Sequence, residues 1–163
     1  MKRWIYFSLI VLLIPIQTTW PNAISLHAVK PDLGILLVYF VGFYAGEMEG
    51  LMMGALAGAL LDLFSGGPWG LHLFTKAILG VLSGLLGRFF LNITGAMTMG
   101  LVFFVSIVSG FLFYLIHQTA LGGIGFGPVF RWIMLPEALY NAVVGGVLFW
   151  AGIGRLRLRA APA

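Results

Sequence analysis

The sequence predicts an all-α integral membrane protein: one bundle, residues 1–163, of six transmembrane helices with short second and third spans. Three observations carry that reading. Of the 163 residues, 61% are hydrophobic and 9% charged. That leaves too few polar residues to coat a soluble domain, so lipid has to be the outer solvent. Apolar segments also recur along the whole chain, separated by short groups of Pro, Gly, Asn and charged residues. Finally, the basic residues gather at segment ends, where they orient spans in a membrane rather than form a nucleic-acid surface. The chain has no cysteine, which excludes disulfides, thiolate catalysis and cysteine-ligated metals.

Lys2 and Arg3 precede an apolar run bracketed by Trp4 and Trp20. Tryptophans suit the membrane interface, and no small-x-small cleavage site follows, so 4–20 reads as a first span, kinked at Pro15, rather than a cleaved signal. Pro31 and Asp32 then suit a helix start. A single helix from Leu33 to Phe64 would be about 48 Å long, against a hydrocarbon core of about 30 Å. Glu47-Met48-Glu49-Gly50 interrupts it, giving spans over 33–46 and 50–64, each short against the usual ~20 residues and therefore tilted, thinning the bilayer, or covered by partner protein.

Spans over 69–90 and 96–118 follow, joined by the turn residues Leu91 to Gly95. A glycine-rich connection, Leu121 to Pro128, leads to the last span, 130–154, which Pro136 interrupts. That connection lacks the lysine and serine of a phosphate-binding loop. With both termini in the cytoplasm, Lys2, Arg3, Arg88, Arg155, Arg157 and Arg159 lie inside, Lys30 and Arg131 lie outside, and Lys76 falls within a span.

The most ordered pattern is a ladder of small and charged residues every four positions. It runs Gly46, Gly50, Gly54, Gly58, Asp62, breaks at Ser65-Gly66-Gly67-Pro68, and resumes as His72, Lys76, Gly80, Gly84, Arg88. Residues four apart lie along one helix face, so a hairpin folded about Gly67 pairs Asp62 with His72, Gly58 with Lys76, Gly54 with Gly80, Gly50 with Gly84, and Gly46 with Arg88. Missing side chains along such a line let two helices approach closely, which in lipid is a main source of association. The ladder reads as a helix-packing seam, with a ligand groove as the alternative.

Charged rungs inside a span need partners. Asp62 lies at the unfavourable end of its own helix but beside the free N–H groups that start the next, near Trp69 to Leu71. Lys76, one turn deeper than His72, reaches outward past Gly58 toward Asp62, so that Asp62, His72 and Lys76 form a polar clamp across the turn. An acid-base pair of Asp62 and His72 lacks a nucleophile or metal partner, and His27, His72 and His117 lack metal-ligand spacing. No enzymatic activity and no cofactor are expected.

Gly58-Ala59-Leu60-Leu61-Asp62-Leu63-Phe64-Ser65-Gly66-Gly67-Pro68-Trp69-Gly70-Leu71-His72, with Lys30-Pro31-Asp32-Leu33 and Leu135-Pro136-Glu137-Ala138-Leu139-Tyr140-Asn141, resembles the MreD family. The resemblance implies a non-enzymatic scaffold of the bacterial inner membrane, in the rod-shape and cell-wall elongation machinery. Such a scaffold binds MreC and helps couple MreB filaments to the peptidoglycan synthase pair RodA and PBP2 in a higher-order hetero-oligomer. The family is also similar in fold to the membrane substrate-binding subunits of energy-coupling-factor vitamin transporters. That similarity supplies the alternative, a small-ligand-binding transporter subunit. Pro136 would then open a pocket by freeing a backbone carbonyl, with Glu137, Tyr140 and Asn141 beside it; the simpler reading is a proline kink within the packed bundle.

Overall fold

The computed structural model describes residues 30–65, 70–90, 92–120, 122–123 and 125–151. The expected first span (4–20), Gly66, Gly67, Pro68, His27 and the basic end Arg155 to Arg159 lie outside the described residues. Among the described residues all regular structure is helical: α1 (Leu33–Ala45), α2 (Glu47–Ser65), α3 (Leu71–Phe89), α4 (Gly95–Ala120), a short α5 (Phe126–Val129), a π-helical turn (Phe130–Met134) and α6 (Leu135–Trp150).

The centre of the bundle is α1. Its 13 residues make a helix of only about 20 Å, and α2, α3, α4 and α6 all pack against it. One core cluster joins Leu36, Tyr39 and Phe43 of α1 to Leu79 of α3 and to Val102 and Val105 of α4. A second joins Val38 and Val41 to Met53, Ala57 and Leu61 of α2. A helix covered on every side by its own chain need not match the bilayer thickness, which explains how so short an apolar segment is accommodated.

Among the described residues three helical stretches, Leu71–Phe89, Gly95–Thr119 and Phe126–Trp150, are long and apolar enough to cross a membrane, against the five spans expected there. The difference has physical causes. The apolar helix α1 is too short to qualify, and α2 carries three carboxylates, Glu47, Glu49 and Asp62. The outward surface is apolar on several helices, with Met52 and Phe64 on α2, Phe74 and Phe89 on α3, Phe104 on α4 and Val147 and Trp150 on α6 all exposed. Such a perimeter fits a hydrocarbon solvent.

The joint between α1 and α2 is Gly46. Its φ of 110° lies in a region that L side chains avoid, so this glycine serves the chain reversal rather than the interior of a helix.

The broadest helix-helix interface is that of α2 with α3, and its register is one rung off the expected one. A Cβ built on Gly58 would strike the His72 carbonyl and Leu73 Cα. One on Gly54 would strike Lys76, one on Gly50 would strike Gly80, and one on Gly84 would strike Gly46 and Glu47. In this register, every rung shifted by four residues, the Asp62 carboxylate reaches into the turn and caps α3.

Gly42 joins the same seam from α1, its Cα against Gly50 and its face against the Gly80 carbonyl. Three backbones therefore meet at Gly42, Gly50 and Gly80. Carbonyl oxygens set against glycine Cα atoms in this way match the weak Cα–H···O contacts of close helix pairs.

The π-helical turn precedes Pro136 directly. Proline lacks an N–H and its ring crowds the carbonyl four residues back; a local π turn accommodates both within a continuous helix. Here the expected interruption is a change of helix type, with Met134 buried against Gly110 of α4.

Candidate functional site

The start of α1, the end of α2, the start of α3, the end of α4 and the start of α6 come together at one end of the bundle, and the polar side chains collect there. The opposite end holds Gly46, the Glu47–Arg88 ion pair at 2.6 Å, and Gly95 against the Trp150 indole.

Asp62, 4% exposed, accepts hydrogen bonds from the backbone N–H groups of Gly70 (2.9 Å), His72 (2.9 Å) and Leu73 (3.1 Å). Those are the free N–H groups of the first turn of α3. The residue at the N-cap position, Gly70, has φ 93° and no side chain to cap with, so α2 supplies the cap across the turn. A carboxylate at a helix N-terminus with three donors is well stabilised.

The partner of Lys76 is Asp32, not Asp62. Lys76 is 2% exposed, and its Nζ donates to Asp32 Oδ2 at 2.5 Å. The stem passes Gly34, where a Cβ would crowd Asp32 Oδ1 and lie 3.5 Å from Nζ. The three-residue clamp thus resolves into two devices. Asp62 closes the α2–α3 turn, while Lys76 ties α3 to the start of α1.

Asp32 is held from several sides. Its Oδ1 accepts from Ile35 N–H at 3.0 Å, capping α1, and its own N–H donates to Asn141 Oδ1 at 2.8 Å. Asn141, fully buried, in turn donates through Nδ2 to Ser106 Oγ at 3.1 Å. One network therefore links α1, α3, α4 and α6. Burial works against the charged form of Asp32, but the Lys76 ammonium and the Ile35 N–H outweigh it and hold the carboxyl below its usual range.

Beside this network lies a cavity of about 260 Å³. Asp32, His72 and Lys76 form its polar floor, Phe113, Tyr114 and His117 of α4 one wall, and Ile133 and Glu137 another. The His72 ring lies 5.0 Å from that of Phe113, which in turn stacks with His117 at 6.3 Å. Of the last-span residues singled out in the sequence, only Glu137 reaches this cavity. Pro136 and Tyr140 do not line it, and Asn141 serves the buried network instead.

Sequence reasoning missed Gly34, Gly42, Ser106 and, of the α4 wall, Phe113 and Tyr114. Gly42 carries a readable signal, since it continues the four-residue spacing one step before Gly46. On α4 the buried polar residues Thr98, Ser106 and Ser109 mark the inward face, but Phe113 and Tyr114 carry no signal that sets them apart from other apolar positions of the span.

Apolar helices of spanning length with an apolar perimeter are those of an integral membrane protein. A sequence model of the family described as rod shape-determining protein MreD matches residues 1–154, essentially the whole chain. The protein belongs to the MreD family. No curated protein and no solved structure matches it.

Proposed function

We propose that this protein is a non-enzymatic scaffold of the bacterial cell-wall elongation complex. It binds MreC directly in the membrane and helps couple MreB filaments to peptidoglycan synthesis by RodA and PBP2. The observation that carries this reading is the family match over residues 1–154. In the proposed topology the chain crosses the cytoplasmic membrane six times with both termini inside, so that the Asp62 end of the bundle faces outward. The glycine seam is occupied by the chain's own backbones, which supports a partner surface elsewhere on the apolar perimeter.

A second reading, a small-ligand-binding transporter subunit, is favoured by the cavity of about 260 Å³. Purification in mild detergent with native partners separates the two. Recovery of a single-span protein with a periplasmic coiled coil supports the scaffold. Recovery with cytoplasmic ATPases and a bound vitamin-like compound overturns it.

A further inference from the structure

The cavity wall holds a carboxyl group, Glu137, that forms no ion pair among the described residues. Glu137 sits in the first turn of α6, directly after the π-helical turn and Pro136. Among the described residues its side chain makes no hydrogen bond or ion pair, and Asp32 and Lys76 are the charged groups of the same cavity. The one ammonium lining the cavity, Lys76, is already committed to Asp32 at 2.5 Å. With both carboxyls ionised, Asp32 and Glu137 exceed the one lining lysine by one negative charge, in a site whose surface is mainly apolar and aromatic. An uncompensated carboxylate in such surroundings is costly and favours a cationic guest.

We propose that this cavity binds a primary ammonium group carried on an apolar body. The ammonium pairs with Glu137, and the body lies against Phe113, Ile133 and Met134. Aromatic faces beside a carboxylate are the walls that suit an organic cation. An anion is disfavoured because the lining lysine, Lys76, is already paired with Asp32. A metal is disfavoured because, among the described residues, no three His, Asp or Glu side chains converge. Ile133, 52% exposed, places the opening beside the π-helical turn. The same chemistry is available from a free alkylamine or from the ethanolamine headgroup of a lipid. Neither source depends on the scaffold reading, because a bound amine is compatible with any partner.

The test uses the full-length protein in detergent, with hexylammonium as probe and hexanol and hexanoate as neutral and anionic controls. Hexylammonium is expected to raise the thermal-unfolding midpoint saturably and the controls not to. The shift is expected to vanish in Glu137→Gln and to persist in Glu49→Gln. A readout on the wild-type protein avoids dependence on variant folding: a hydrophobic carbodiimide labels Glu137, and hexylammonium slows that labelling at least tenfold while hexanol does not.

Reconstitution into phosphatidylethanolamine or phosphatidylglycerol nanodiscs then separates the sources. Protection by phosphatidylethanolamine alone assigns the lipid headgroup. Labelling that only hexylammonium slows, in both lipids, assigns a free amine. Glu137 labelled equally with and without either amine, as for a carboxyl that simply stays protonated, overturns the proposal. So do equal effects of hexanol, or a shift retained in Glu137→Gln.

Discussion

Lys76 and Asp32, 44 residues apart in sequence, form an ion pair at 2.5 Å, buried on the lysine side, that joins α3 to the start of α1. Removing one member leaves the other charged and without its partner inside the bundle, a change that costs about 3–5 kcal/mol where such pairs have been broken singly. Lys76→Met is therefore expected to lower stability by that order in denaturant titrations in mixed micelles. Adding Asp32→Asn removes the orphaned charge and is expected to recover part of the loss. Simple additivity of the two losses would mean that the pair is not coupled.

Asp62 makes a separate prediction because its partners are backbone groups. Asp62→Ala leaves the N–H groups of Gly70, His72 and Leu73 without their acceptor. A loss of about 1–3 kcal/mol is expected. The local signature is more telling: amide exchange should accelerate at those three residues while the second half of α3 keeps its protection. Uniform acceleration along α3 would show that the carboxylate acts through global stability alone.

The glycines divide into those with no room and those with room to spare. At Gly54 an added Cβ would meet the Lys76 backbone, whereas at Gly100 it meets nothing within 4 Å. Gly54→Leu and Gly80→Leu are expected to abolish assembly of the purified protein through overpacking. Even Gly54→Ala should lower the unfolding midpoint. Gly100→Ala is expected to raise stability by about 0.5–1 kcal/mol, since the helix gains propensity without a clash. Equal responses at the two positions in thermal unfolding would argue against the observed seam.

How much of this was legible in the sequence depended on whether a residue's neighbours were local. The spacing of Gly50, Gly54 and Gly58 and the break before Gly70 announce a close helical hairpin, and Asp62 announces the cap, because each lies within one hairpin of its partner. The register was off by one rung because spacing alone does not say how far a carboxylate reaches into a turn. Sequence distance favours Asp62 as the partner of Lys76, but the bundle brings Asp32 to it instead. Such pairings depend on how α1 is enclosed, which periodicity does not encode. Glu137 was visible as a charge in a span, but its place on a cavity wall rests on the π-helical turn before it and on unmarked residues of α4.

Glu47–Arg88 and Asp32–Lys76 offer a clear contrast between geometry and environment. Glu47–Arg88 is 2.6 Å long, close to the 2.5 Å of Asp32–Lys76, yet the Arg88 side chain is 72% exposed against 2% for Lys76. Distance alone would rank them equal; solvent decides otherwise. Exposed pairs contribute about 0–1 kcal/mol and are screened by salt, whereas buried ones are screened far less. Arg88→Gln is therefore expected to change stability by no more than that, with the difference from wild type shrinking as sodium chloride is raised. The larger effect of Lys76→Met should persist across the same salt series. Salt-dependent unfolding of the two variants side by side checks both statements, and a Lys76→Met effect that faded with salt would place that pair in contact with water.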